Sequence, residues 1–161
     1  MSTNQQLSFL QDKIRNIGSA IFFNLSDSVL KLPTSVVSTL KVDDFGYIWF
    51  LVQKPKQDLG AFEKEFPVRM DFFKKGSSCF LQVNGKAYVV SDPEEINTLQ
   101  MSSEAQMALS EMVLVKVKIL KAEYYETVPG KISWFRQALN TVSAWFSNNN
   151  QYRPETYFPA S

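Results

Sequence analysis

The chain has 161 residues, 17 Lys and Arg against 16 Asp and Glu, a single Cys and no His. Without His, a Ser-His-Asp triad, a Cys-His pair, a His general base and a His-ligated metal are all excluded within one chain, and the near-neutral balance argues against a dedicated nucleic-acid binder. At 45% hydrophobic and 14% aromatic residues the chain can bury a core, and its length suits one domain.

Met1 to Gln6 is polar and lacks the basic start and apolar run of a signal peptide. A helix is expected over about Asn4 to Ile17, because Leu7, Leu10, Ile14 and Ile17 recur at spacings of three and four. Gly18 is placed to end it. Ala20 to Leu25 reads as a short buried strand. Thr34 to Val42 alternates, with Val36, Ser38, Leu40 and Val42 on one side and Ser35, Val37, Thr39 and Lys41 on the other. Asp43-Asp44-Phe45-Gly46 then supplies a turn. Tyr47 to Val52 is apolar without a break, so it predicts a strand covered on both faces. One face suits the core; the other needs a helix, a ligand or a second subunit.

Gln53 to Gln57 is a polar loop. Leu59, Phe62 and Phe66 form a stripe that predicts a short helix over about Asp58 to Phe66, stopped by Pro67. Val68 to Phe73 reads as a strand, Lys74 to Ser77 as a turn, and Cys79 to Val90 as a long strand interrupted at Gly85 by a bend or bulge. Asp92-Pro93-Glu94-Glu95 is a capped helix start. Met112 to Glu123 alternates again. A last helix is expected over about Ile132 to Phe146, on the stripe Ile132, Phe135, Leu139, Val142 and Trp145, followed by a polar tail over residues 147–161.

No run approaches the ~20 apolar residues that span a bilayer. The lone Cys79 forms no internal disulfide and reads as a small core residue. A soluble cytoplasmic protein with no membrane or nucleic-acid partner is therefore expected. There is no CxxC, GxGxxG or Walker loop. The adjacent acids Asp43-Asp44 and Glu94-Glu95 read as turn and cap residues, so neither a metal nor a catalytic side chain is expected. The expected architecture is mainly β with peripheral helices: one domain, residues 1–146, built as a six-stranded antiparallel barrel.

Four segments in this order carry a resemblance. They are Leu40-Lys41-Val42-Asp43-Asp44-Phe45-Gly46-Tyr47-Ile48-Trp49-Phe50, then Phe66-Pro67-Val68-Arg69-Met70, then Val83-Asn84-Gly85-Lys86-Ala87-Tyr88-Val89-Val90 followed by Asp92, and Val117 to Gly130. Together they resemble the split-barrel flavin-binding fold of the pyridoxamine-5′-phosphate-oxidase-like proteins, in the general-stress-protein branch, over roughly Ala20 to Ala144. The resemblance implies a homodimer with FMN, or FAD, at the subunit interface. It implies that the flavin lies along Val37, Ser38 and Thr39 and the strand end at Val52 and Gln53. Its phosphate would sit over Lys54, Lys56, Gln57 and Asp58, and Tyr125 would cover the ring from the partner subunit.

The chain departs from the family pattern where the flavin would bind. Ser35 and Val36 stand where the family often has Arg-Pro, Val52 replaces a hydroxyl residue, and Lys56-Gln57-Asp58 replaces Ser-Arg-Lys or similar. Two like charges about 4 Å apart repel by about 4 kcal/mol at an effective dielectric near 20, so Asp58 opposes a phosphate there. The implied function is a flavin-binding oxidoreductase-like protein, with NAD(P)H as an electron donor and the redox chemistry carried by the cofactor. A pyridoxamine-phosphate oxidase proper needs a cationic substrate site that these residues do not supply. The alternative is a non-catalytic split-barrel module that sequesters flavin or binds another small ligand through a degenerate phosphate site.

Overall fold

The computed structural model describes residues 3–76, 78–99, 101–127 and 134–139. Helix α1 (Thr3–Ile17) leads into seven strands: β1 (Ser19–Asn24), β2 (Ser35–Val42), β3 (Tyr47–Gln53), β4 (Glu65–Phe73), β5 (Cys79–Val90), β6 (Met112–Thr127) and β7 (Trp134–Leu139). Two short helices, α2 (Pro93–Asn97) and α3 (Ser103–Ala108), lie between β5 and β6. The strands are ordered β3-β2-β1-β4-β5-β6-β7, and β3 also pairs with β6. Strands β1 to β6 therefore close a six-stranded antiparallel barrel, as expected from the alternating segments, and closure removes their free edges. Among the described residues, no helix is long and apolar enough to cross a membrane.

The barrel is filled by its own inward side chains, among them Phe22, Phe50, Phe72, Met70, Leu81 and Ile119, all essentially inaccessible. Helix α1 adds Leu10, Ile14 and Ile17 to this core. Gly18 ends the helix at φ +82° and donates its N–H to Ile14 O at 2.8 Å. The expected hairpin forms between β2 and β3. Asp43 fastens it: Oδ1 accepts from the N–H groups of Phe45 and Tyr47 at 2.9 Å each, and Oδ2 accepts from Trp49 Nε1 at 3.0 Å. Gly46 sits at φ +86°. Asp43→Ala leaves three donors short of a partner and is expected to cost about 2 kcal/mol. Urea unfolding measures it, with Asp43→Asn predicted to recover part of the loss.

Two expected helices are corrected. Residues 59–61 form only a short 3-10 helix, and Glu65–Phe73 is one strand. Phe66 belongs to both a helical stripe and the period-two series Phe66, Val68, Met70 and Phe72, and the barrel takes the second. Pro67 does not stop a helix; it lies within β4 opposite Lys86. Its carbonyl accepts from Leu25 N at 3.0 Å, just past the end of β1. The missing N–H faces the same side, where no strand partner remains to miss it.

The second correction is at the C-terminal end. Within the segment expected as a helix, Trp134–Leu139 is strand β7, paired with Ala122–Thr127. Strand β6 is 16 residues long, and β3 covers one edge only from Met112 to Lys118. The rest of that edge holds unpaired backbone groups that β7 satisfies. Residues 132–133 and 140–146 of that expected helix, and the tail at 147–161, lie outside the described residues.

Candidate functional site

Strands β2 and β3 run antiparallel with Thr39 opposite Phe50. The ladder runs from Thr39 to Val42 against Phe50 to Ile48; Ser35–Ser38 pair with β1 and Leu51–Gln53 with β6. Val37 and Ser38 on β2, and Val52 and Gln53 on β3, thus lie beyond this ladder toward the loop beginning at Lys54, and Thr39 stands in its last pair. Their side chains divide between two environments. Val37 and Val52 point into the core, at 3% and 4% exposure, whereas Ser38 and Gln53 are exposed. Thr39 is half-buried, and both its N–H and its hydroxyl donate to Gly18 O, at 2.9 and 3.1 Å. The outer face of β2 carries Val36, 76% exposed, and Leu40, 38% exposed. This apolar strip is more open than an isolated strand residue needs to be, and the alternation in the sequence does not say which face is outside.

Lys54, Lys56, Gln57 and Asp58 are all exposed on the loop after β3. Its two ends are tied down: Lys54 N donates to Glu111 O at 3.1 Å, and Ser26 Oγ donates to Glu63 Oε2 at 2.7 Å. The side chains of Lys54 and Lys56 enter no ion pair with a described residue. Asp58 heads only the single 3-10 turn of residues 59–61. Its Oδ1 accepts from Gly60 N at 3.1 Å, and its carbonyl accepts from Ala61 N at 3.1 Å. The helix start expected at Asp58 is thus reduced to one 3-10 turn, and the carboxylate already occupies one of its amides. What remains for an anion is the pair of lysine point charges.

Tyr125 is not part of this group within one chain. Val52 pairs with Val113, and Tyr125 lies twelve residues further along β6, or about 40 Å at the strand rise of ~3.3 Å per residue. It is half-buried, packs on Phe80 with ring centroids 5.8 Å apart, and donates its hydroxyl to Glu123 Oε2. A hollow of about 120 Å³ borders Thr39, between α1 and β2; ligand pockets run about 300–1,000 Å³. This hollow falls below that range, and the open surface beside these residues is the outer face of β2.

The uninterrupted apolar strand β3 resolves differently from a subunit contact. Ile48, Phe50 and Val52 enter the barrel core, while Trp49 joins a second cluster with Val90, Leu99 and Leu114. Ile96, Met101 and Leu109 pack on that cluster. The helix-bearing segment of the same chain thus covers the outer face of β3.

The sequence reading missed the group of rings around Lys116. Its Nζ lies 5.0 Å from the ring centroid of Tyr47, 5.4 Å from Trp49 and 6.0 Å from Tyr88, and it is paired with Glu95. Cross-strand register makes this cage, since Trp49 and Tyr88 both sit opposite Lys116. Only the strand pairing reveals it. Burial pushes the Tyr88 phenol above its ordinary value, with Glu65 and Tyr47 adding to the rise. Likewise, burial pushes the Tyr124 phenol up against the opposing pull of Lys13. Among the described residues, no group of three His, Cys, Asp or Glu could hold a metal ion.

No family model matches the sequence, and no curated protein matches it. Solved structures do. A protein related to general stress protein 26 (pyridoxinephosphate oxidase family) from Clostridium acetobutylicum matches with a TM-score of 0.62 at 9% identity, over 86% of this chain and 97% of its own. The general stress FMN/FAD binding protein of Xanthomonas citri matches at 0.59 and 15%, over 86% of this chain and 100% of its own. A pyridoxamine 5′-phosphate oxidase-related FMN binding protein from Nostoc punctiforme matches at 0.54 and 8%, over 87% and 97%. At these identities the likeness establishes the fold: the chain is a split barrel of the kind these proteins share.

Proposed function

We propose that the protein binds a flavin, FMN or FAD, on the outer face of β2 at the interface of a homodimer. One observation carries this reading: the exposed apolar strip of Val36 and Leu40 runs toward a tethered loop that bears two lysines in no ion pair with a described residue. The strip suits one face of a planar ring, and Lys54 and Lys56 suit a phosphate. Val37, Ser38, Thr39 and Gln53 offer backbone groups, a hydroxyl and an amide along the same edge. Tyr125 reaches a flavin only from a second subunit. Two of the structural neighbours, from Xanthomonas citri and Nostoc punctiforme, are flavin-binding proteins, which supports the same ligand class.

A bound flavin supplies the redox chemistry, and the chain's own residues bind and screen it. Two readings of the outcome remain, an NAD(P)H-dependent oxidoreductase and a module that holds flavin without turnover. The carboxylate of Asp58, which caps the single 3-10 turn at the loop, favours the second, because it weakens phosphate capture.

Titration of the purified protein with FMN, read by quenching of flavin fluorescence, tests the proposal. Binding in the micromolar range is expected, with Lys54→Ala and Lys56→Ala each weakening it about 3- to 10-fold. Asp58→Asn keeps the acceptor for Gly60 N and removes the charge, so it should tighten binding about 3- to 10-fold. No quenching at high micromolar protein overturns the flavin reading; unchanged affinity in all three variants moves the phosphate elsewhere. Anaerobic mixing of the loaded protein with NADPH or NADH separates enzyme from store. Light scattering tests the dimer, which a monomeric mass at micromolar concentration would rule out.

A further inference from the structure

We infer that residues 91–111 form a strap that opens off the barrel as a unit, that Glu95 and Lys116 are its latch, and that its docking is linked to the loop beginning at Lys54. The strap runs from the end of β5 to the start of β6 and carries α2 and α3, of five and six residues. Helices this short are unstable alone. They are formed because Leu99, Ile96, Met101 and Leu109 pack on Trp49, Val90 and Leu114. That cluster is separate from the barrel core. Losing it leaves the six-stranded ring and its filling intact, which is the condition for a sub-global opening.

The latch is built for release. Lys116 belongs to β6 and Glu95 to α2, so their ion pair ties strap to barrel. When Glu95 departs, the ammonium keeps its three aromatic neighbours at 5.0–6.0 Å. The rings stabilise the cation in place, so opening strands no buried charge and the barrel half of the latch stays aimed for reclosure. Opening uncovers the outer face of Trp49. It also loosens the end of the strap at Glu111, whose carbonyl accepts from Lys54 N at 3.1 Å. Strap and loop therefore share a backbone hydrogen bond. The link to the loop rests on the flavin reading above; the strap itself does not.

Native-state hydrogen exchange, read by mass spectrometry on the full chain with and without FMN, tests the inference. In the apo protein, amides of residues 93–109 are expected to exchange through an opening with weak denaturant dependence, while β4 and β5 exchange only through global unfolding. Glu95→Gln should raise the strap's opening constant about 5- to 10-fold and leave the β4 and β5 amides unchanged. Lys116→Met, which keeps the bulk among the rings, should act in the same direction. Strap amides that exchange only with the whole barrel, or variants that accelerate all peptides alike, overturn the strap. With FMN bound, strap exchange should slow, and Glu95→Gln should weaken FMN binding only in proportion to the closed fraction it removes. Saturating FMN that leaves strap exchange unchanged overturns the link and spares the flavin reading. Failure of FMN to bind overturns that reading and the link together, while the apo exchange still decides the strap.

Discussion

Gly85→Val is expected to destabilise the protein by at least ~3 kcal/mol, enough to empty much of the stability of a domain this size. A Cβ at position 85 would lie 2.2 Å from Lys118 O, 2.8 Å from Val117 Cγ1 and 3.1 Å from Lys118 C. Backbone cannot step aside as a flexible side chain can, so β5 and β6 must separate. The position is also where the register slips: Asn84 faces Lys121 and Gly85 faces Ile119, leaving one extra residue on β6. That bulge bends the longest pairing of the barrel at a corner. Gly60→Ala is the control, since a Cβ there meets Asp58 Oδ2 at an ordinary 3.5 Å, and its effect should stay within about 1 kcal/mol. Urea midpoints of the two variants decide the matter. A wild-type midpoint for Gly85→Val would mean that the strands do not approach this closely.

Gly85 also shows why so much of this fold is legible in the sequence. A barrel strand is half-buried, so it writes its period-two pattern directly, and β5 runs from Cys79 to Val90 as its alternation predicts. The turn at Asp43 and the cap at Asp92 are equally local: Asp92 Oδ1 accepts from Glu94 N at 3.0 Å, with Pro93 opening the helix. The failures are places where distant partners decide. Phe66 fits two periods, and Trp134–Leu139 follows a helical stripe, but the uncovered edge of β6 claims the segment as a strand. The apolar run Tyr47 to Val52 requires cover on its outer face, and which of helix, ligand or subunit provides it depends on the strap's fold. The candidate site is less legible still. Which face of β2 turns outward, and which residues surround Lys116, follow from register, and no window of sequence contains register.

Phe22→Ala should cost about 3–5 kcal/mol, the range for removing a fully buried aromatic ring. Phe22 is wholly inaccessible and lies at the middle of β1, between β2 and β4. Its ring meets Phe50 at 5.3 Å between centroids and Phe66 at 6.4 Å. It therefore joins β1 to β3, which is its neighbour across the barrel and not along the sheet, and to the start of β4. The loss is a cavity in the centre of a closed ring, and closure prevents the strands from collapsing into it. Phe45→Ala, at the exposed tip of the β2–β3 hairpin, should change stability by less than about 0.5 kcal/mol. The double variant Phe22→Ala/Phe50→Ala should fall short of the sum of the singles by about 0.5–1.5 kcal/mol, because the two rings share one contact. Denaturant titrations of the wild type, the three single variants and the double variant measure all of this. Strict additivity of Phe22 and Phe50 would show that the rings do not touch across the barrel, and the outer face of β2 would then lose the rigid backing that a flavin resting on Val36 and Leu40 requires.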